Sequence, residues 1–331
     1  MTPKNDITMN RRPRRNRASA AIRSLVRETH VGPQDLVYPL FVMEGRDTTE
    51  PILSMPGIAR LTVDRLAKEC RDIAGLGIPA VALFPKIADA KKDSRATESK
   101  NPQGLIPLCI QEIKFAVPEL LVITDVAMDP YSSDGHDGII QDGRILNDES
   151  LPVLAEMALA QAAAGADIVA PSDMMDGRVG YIRRVLDSAG FTEVGILAYS
   201  AKYCSALYGP FRDALDSAPK AGDKKTYQMD WANAREAVRE ARLDVEEGAD
   251  IVMVKPAGYY MDIIAQIRAA VDVPVAAYHV SGEYAMIKAA AANGWLDEDR
   301  AVAEVLTGIK RAGADIIFTY FAKSLARNFS S

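Results

Sequence analysis

Sulfur is scarce in this chain. Its three cysteines, Cys70, Cys109 and Cys204, stand far apart and form no Cys-x-x-Cys pair. That argues against a disulfide framework and a thiolate zinc site, and for a reducing compartment, here read as the cytoplasm. Long apolar stretches are missing too: no uninterrupted run approaches the ~20 residues that span a bilayer, and the first residues, Met1 to Asp6, carry no signal-peptide core. The expectation is no membrane partner. No strand-like run is followed by GxGxxG or GxxxxGK[ST], so nothing marks a nucleotide crevice and no organic cofactor is expected. Positive charge is short as well, since the net charge is −6. The exception is Arg11-Arg12-Pro13-Arg14-Arg15-Asn16-Arg17. It has no basic stripe elsewhere to extend a nucleic-acid footprint, so it reads as an arm that docks on an acidic protein surface.

What is present is ordinary globular material, 48% hydrophobic and 25% charged over 331 residues, enough for one large α/β barrel or two domains. Residues 1–34 are polar, Arg-rich and broken by Pro3, Pro13 and Pro33, with a short helical stretch around Ser19 to Glu28. This segment is expected to be an N-terminal arm that serves as an oligomer contact. From residue 35 to 331, short runs of Val, Ile and Leu alternate with alanine-rich stretches of helical period, the pattern of βα units. Strands are expected at Leu36 to Val42, Ala80 to Phe84, Leu120 to Val126, Asp167 to Pro171, Val194 to Ser200, Asp250 to Lys255, Pro274 to Val280 and Asp315 to Tyr320. Helices are expected between them, among others at Leu151 to Ala164, Trp231 to Glu247 and Tyr284 to Asn293. Eight parallel strands in about 300 residues fit a closed (β/α)8 TIM barrel, with a doubly wound open sheet as the alternative. A repeat supports the barrel: Gly165-Ala166-Asp167-Ile168, Gly248-Ala249-Asp250-Ile251 and Gly313-Ala314-Asp315-Ile316 each end a helix with glycine and open a strand with Asp-Ile.

A barrel puts its chemistry at the C-terminal ends of the strands, and two lysines stand there. Lys202 ends Gly195-Ile196-Leu197-Ala198-Tyr199-Ser200-Ala201, and Lys255 ends Ile251-Val252-Met253-Val254. Two ammonium groups at one apolar mouth lower each other's pKa, and burial lowers both, which suits an amine that captures a carbonyl as a Schiff base. Taken singly, either lysine could instead snorkel to solvent or pair with a carboxylate. The residues from Cys204 to about Lys225 form a long polar connection of the kind that closes over sites.

At this point the segments Tyr199-Ser200-Ala201-Lys202-Tyr203, Tyr208-Gly209-Pro210-Phe211-Arg212-Asp213-Ala214, Met253-Val254-Lys255-Pro256 and Tyr278 to Met286 resemble the motifs of the porphobilinogen synthase (5-aminolevulinate dehydratase) family. Asp125 to Tyr131 and Ser172 to Arg178 match the same family, and the resemblance runs from about Arg11 to the last strand. It implies a hydro-lyase that condenses two 5-aminolevulinate molecules into porphobilinogen, an early step of tetrapyrrole synthesis. Lys255 matches the lysine that captures the substrate giving the propionate side, and Lys202 the one assigned to the acetate side. Asp125 counts among the catalytic groups, and Ser172, Tyr199 and Phe211 among the substrate contacts. Arg212 and Lys224 match a carboxylate clamp, with Gln228 beside it; Ser281 and Tyr320 match the clamp for the other carboxylate. A lysine at 224, where relatives can hold arginine, lacks the guanidinium fork.

Where zinc-using relatives carry three cysteines, this chain has Ala127, Asp129 and Asp137. The departure argues against zinc and leaves open Mg²⁺, a monovalent cation or no metal at Asp129 and Asp137. His136 has no second histidine nearby and reads as a structural hydrogen-bonder. Glu240 matches the position of an allosteric magnesium ligand at a subunit contact; Glu236 and Asp244 one helical turn away on either side would make an acidic stripe that a cation relieves. The assembly implied is a homo-oligomer, with an octamer favoured and a hexamer left open. Two other readings stand beside this one: a class I aldolase acting on a phosphorylated sugar, with Ser281-Gly282 as a weak phosphate site, and a non-catalytic barrel that binds nucleic acid through its arm.

Overall fold

The computed structural model describes residues 9–329. Eight parallel strands form its centre: β1 (Leu36–Met43), β2 (Ala80–Lys86), β3 (Leu121–Val126), β4 (Ile168–Pro171), β5 (Gly195–Lys202), β6 (Ile251–Lys255), β7 (Val275–His279) and β8 (Ile316–Thr319). Each pairs with the next, and Leu36 against Ile317 closes β8 onto β1. All eight residues of β1 are buried, as expected of strands covered on both faces. The barrel expected from the alternating pattern is therefore the fold, and an open sheet is excluded by the β8–β1 pairing.

The helices run α1 (Ala20–Leu25), α2 (Val63–Gly75), α3 (Leu105–Ala116), α4 (Asn147–Ala164), α5 (Arg178–Ser188), α6 (Gly209–Leu215), α7 (Arg235–Glu246), α8 (Met261–Arg268), α9 (Ser281–Ala292), α10 (Glu298–Ala312) and α11 (Ala322–Arg327). Helix α1 is capped by Ser19, whose hydroxyl accepts from Ile22 N at 3.2 Å. It lies in the expected arm, of which residues 1–8, with the reading of Met1 to Asp6, fall outside the described residues.

The Gly-Ala-Asp-Ile repeat has a structural meaning at the closed end of the barrel. Each glycine takes a left-handed backbone, φ 105° at Gly165, 107° at Gly248 and 120° at Gly313, which only glycine adopts cheaply. The aspartate then clamps one residue of the preceding strand at two points. Asp167 N donates to Val122 O (3.1 Å) while its carboxylate accepts from Val122 N (2.7 Å). Asp250 does the same to Ile196 (2.9 and 2.7 Å) and Asp315 to Val275 (2.7 and 2.9 Å). Three copies thus tie β3 to β4, β5 to β6 and β7 to β8.

Several boundaries differ from expectation. Helix α7 starts at Arg235 rather than Trp231, α4 reaches back to Asn147, and α9 begins at Ser281. Two hairpins had no counterpart in the sequence reading. Thr49–Pro51 and Ala59–Thr62 extend the sheet beside β1, and Ile139–Gln141 pairs with Arg144–Leu146. The second turns on Asp142-Gly143, both at positive φ (50° and 72°); an Asp-Gly between apolar pairs is a readable hairpin signal.

Candidate active site

The paired register of β5 and β6 sets Lys202 directly beside Lys255 at the open end of the barrel. Both are buried, 6% and 5% exposed. Around Lys255 Nζ stand four aromatic rings, with centroids at 4.6 Å (Tyr278), 4.7 Å (Phe211), 5.1 Å (Tyr199) and 5.3 Å (Tyr208). Their faces favour a cation, but their bulk excludes water. Desolvation dominates, and with the Lys202 charge it pushes the Lys255 pKa down to about 7. Lys202 Nζ donates to the Ser172 carbonyl and lies 6.0 Å from the Tyr199 ring. Asp125, at the end of β3, is driven up to about 6, chiefly by burial, with both lysines pulling the other way and a hydrogen bond from Ser172. Its Oδ1 is buried without a partner. An amine that is half neutral near pH 7, a second lysine and a carboxyl group able to carry a proton therefore share one mouth.

This arrangement rests on buried networks behind it. Arg178 donates to both oxygens of Asp244 (3.0 and 3.1 Å) and to Tyr199 O (3.3 Å), anchoring β5 from outside the barrel. Glu283 accepts from Val280 N (2.7 Å) and Gly258 N (2.6 Å), joining the turn after Lys255 to the start of α9. Burial raises its carboxyl to about 7. Tyr208 and Tyr203 both donate to Lys255 O, from the hydroxyl (3.1 Å) and the backbone (2.9 Å). The sequence reading left Arg178, Tyr208 and Glu283 without a role; the glutamate three residues into a helix start is the one with a local signal.

The chain leaves and rejoins the barrel at one point: Met229 N donates to Lys202 O (3.0 Å), and Cys204 N to Met229 O (2.8 Å). Between them lies the expected lid, which contains the unforeseen helix α6. Ser281 Oγ accepts from Phe211 N at 3.0 Å and donates to Leu207 O at 3.3 Å, so it seals the start of α6. Tyr320 shares a 3.0 Å hydrogen bond with Tyr278. Arg212 is half-buried, and its guanidinium makes no hydrogen bond or ion pair to any described residue. Gln228 is buried with Oε1 unpartnered.

Lys224, Asp129 and Asp137 are found together. The buried ammonium donates to Asp129 Oδ2 at 3.0 Å and to Asp137 Oδ2 at 2.9 Å. Burial opposes charge on all three; against it, Lys224 and Lys202 hold Asp137 down to about 2, whereas burial and the Asp137 charge leave Asp129 raised. The two aspartates in turn raise Lys224 against its own desolvation. Beside them, His136 bridges to Tyr227 Oη (3.0 Å) and Ala221 O (2.9 Å), fastening the lid to the Asp loop.

Glu240 is half-buried on α7, 3.2 Å from Arg239 Nη2, in a cleft of about 910 Å³ shared with Glu236, Asp176 and Arg144. The acidic stripe is shorter than its spacing suggests, because Asp244 is buried and neutralised by Arg178. Among the described residues no group of three or more His, Cys, Asp or Glu side chains is placed to hold a metal, and no helix is long and apolar enough to cross a membrane.

Comparison with known proteins bears on all of this. A chloroplastic delta-aminolevulinic acid dehydratase of Physcomitrium patens is 55% identical over 327 residues, covering 97% of this chain and 74% of the relative. The enzyme of the same description from Chlamydia pneumoniae is 53% identical, covering 96% and 95%. In structure the chain is similar to a delta-aminolevulinic acid dehydratase of Toxoplasma gondii solved with the reaction product porphobilinogen, with a TM-score of 0.95, 53% identity, and 96% and 91% of the two chains covered. Residues 10–328 match the family described as delta-aminolevulinic acid dehydratase, and the chain, with its barrel and its paired strand-end lysines, belongs to that family.

Proposed function

We propose that the chain is a porphobilinogen synthase that condenses two 5-aminolevulinate molecules with release of water, and that Lys255 captures the first of them. The observation that carries the assignment of Lys255 is its amine inside four aromatic rings, with a pKa near 7 set by burial and by Lys202. The neutral amine adds to the substrate ketone, a carbinolamine forms, and loss of water leaves the imine. Asp125, poised near 6, takes and returns the protons of these steps. Lys202 holds the ketone of the second substrate, over Tyr199 and against Ser172.

Ser281 and Tyr320 receive the first substrate's carboxylate as neutral donors, Ser281 by turning its one proton away from Leu207 O and Tyr320 by accepting from Tyr278. Arg212, Gln228 and Lys224 receive the second, with Phe211 closing over both. Lys224 can serve while still paired: an ammonium has three donors, Asp129 and Asp137 take two, and one remains. The same geometry disfavours a divalent ion between the aspartates, because their facing oxygens are already filled by a cation. A hydrated Mg²⁺ suits the carboxylate of Glu240, in its wide polar cleft, better; it would act on structure, not on the reacting atoms. The wholly exposed arm segment Pro13–Arg17 and the 80% exposed Leu25 suit burial in a second copy of the chain, a cytoplasmic homo-oligomer.

The test is product formation. Purified protein given 5-aminolevulinate should yield porphobilinogen, and Lys255→Met should abolish it while Arg212→Gln mainly raises KM. A chain that binds the substrate but never makes porphobilinogen would overturn the reading.

A further inference from the structure

Helix α6 is seven residues long, too short to hold itself in water, yet it carries Phe211 and Arg212. Its C-terminal carbonyls have no partners within the helix. Backbone N–H groups of Asp216 and Ser217 donate to Arg212 O, and one side chain takes the next two carbonyls. Arg60, on the Ala59–Thr62 strand beside β1 and only 7% exposed, donates through Nε to Ala214 O at 2.6 Å and through Nη2 to Asp213 O at 2.8 Å. Its remaining Nη1 pairs with Glu50, which also receives Lys86 Nζ at 3.2 Å. Two further donors from the same side of the barrel reinforce the grip: Ser54 Oγ to Asp213 Oδ2 at 2.5 Å and Lys92 Nζ to Asp216 O at 2.9 Å.

We infer that Arg60 is a positioning residue for the reaction: it fixes the C-terminal end of α6 so that Phe211 shuts over Lys255 and Arg212 faces the second substrate. The physical case is one of geometry. Ser281 seals the start of α6 from β7's end of the barrel, and Arg60 seals its finish from β1's, 154 residues away in sequence. A planar fork can grip two successive carbonyls and a carboxylate at once, and a cation at a helix C-terminus is stabilised by the helix dipole. Release of that end lets water reach Lys255, whose low pKa comes first from desolvation.

The inference rests on Lys255 being the imine lysine, and the experiment separates the two. Wild type, Arg60→Met and Arg60→Lys are assayed for kcat, KM and thermal midpoint. Each is also trapped with borohydride and 5-aminolevulinate across pH, with the label at Lys255 quantified by mass. The expected result for Arg60→Met is a kcat/KM about tenfold to a hundredfold lower, dominated by KM, with the trapping midpoint shifted to higher pH because Lys255 is rehydrated. Arg60→Lys, with a point charge for a fork, falls between, and carries the test if Arg60→Met does not fold. A wild-type enzyme that labels at Lys255 alongside variants with an unchanged trapping midpoint overturns the role of Arg60, even if they lose stability. A wild type that never labels at Lys255 overturns the reading beneath it.

Discussion

Burial and like charge act on Lys255 in the same direction, and they can be separated by substitution. Replacing Lys202 with Met removes the second-largest cause of the low pKa and leaves the first, the desolvating rings. The charged form of Lys255 is then less disfavoured, so its pKa rises. The pH midpoint for borohydride trapping at Lys255 should move up, and the amount trapped at pH 7 should fall; an unchanged midpoint would mean the two ammonium groups do not sense each other. Lys224 is a different case, a buried cation shared by two buried carboxylates. Lys224→Met strands both charges, and loss of one partner from a buried pair costs about 3 to 5 kcal/mol. Urea unfolding should show that loss. The triple variant Lys224→Met, Asp129→Asn, Asp137→Asn should recover most of it.

At the level of elements, the two-point aspartate clamp makes stability and chemistry separable. Asp167→Ala deprives the buried Val122 N–H of its acceptor, a cost of about 1 to 3 kcal/mol. It should lower the urea midpoint with kcat unchanged, because the clamp lies at the end of the barrel away from Lys202 and Lys255. Gly135 tests the lid instead: at φ 71°, a Cβ there would run into Ala218 O on the lid. Gly135→Ala should raise KM through displacement of the 217–228 segment and lower the thermal midpoint as well, because the Cβ meets backbone and the left-handed φ is strained for alanine.

Over the whole molecule, the barrel could be read from the sequence because its strands are continuous Val, Ile and Leu runs and its helix ends are marked by Gly-Ala-Asp. The two hairpins were not, being only three or four residues long and partly polar, nor was α6, whose opening Gly209-Pro210 imitates a turn although proline at a helix start is a valid signal. Lys202 and Lys255 stood out as charge in apolar text. Arg60 did not: it sits in an ordinary alternating strand, and nothing local announces carbonyls 153 and 154 residues away. The joining of Lys224 to Asp129 and Asp137 was hidden for the same reason, since each half of it read as a separate site. That joining carries a prediction for the intact enzyme. Exhaustive chelation should leave imine trapping at Lys255 intact, and any stimulation by restored Mg²⁺ should vanish in Glu240→Ala.

Lys255 is assigned the first imine. The most direct measurement is borohydride reduction with 5-aminolevulinate limiting relative to enzyme, followed by peptide mass analysis. Substrate mass is expected on the peptide bearing Lys255, with Lys202 unmodified until substrate is in excess. Label on Lys202 alone under limiting substrate would contradict it.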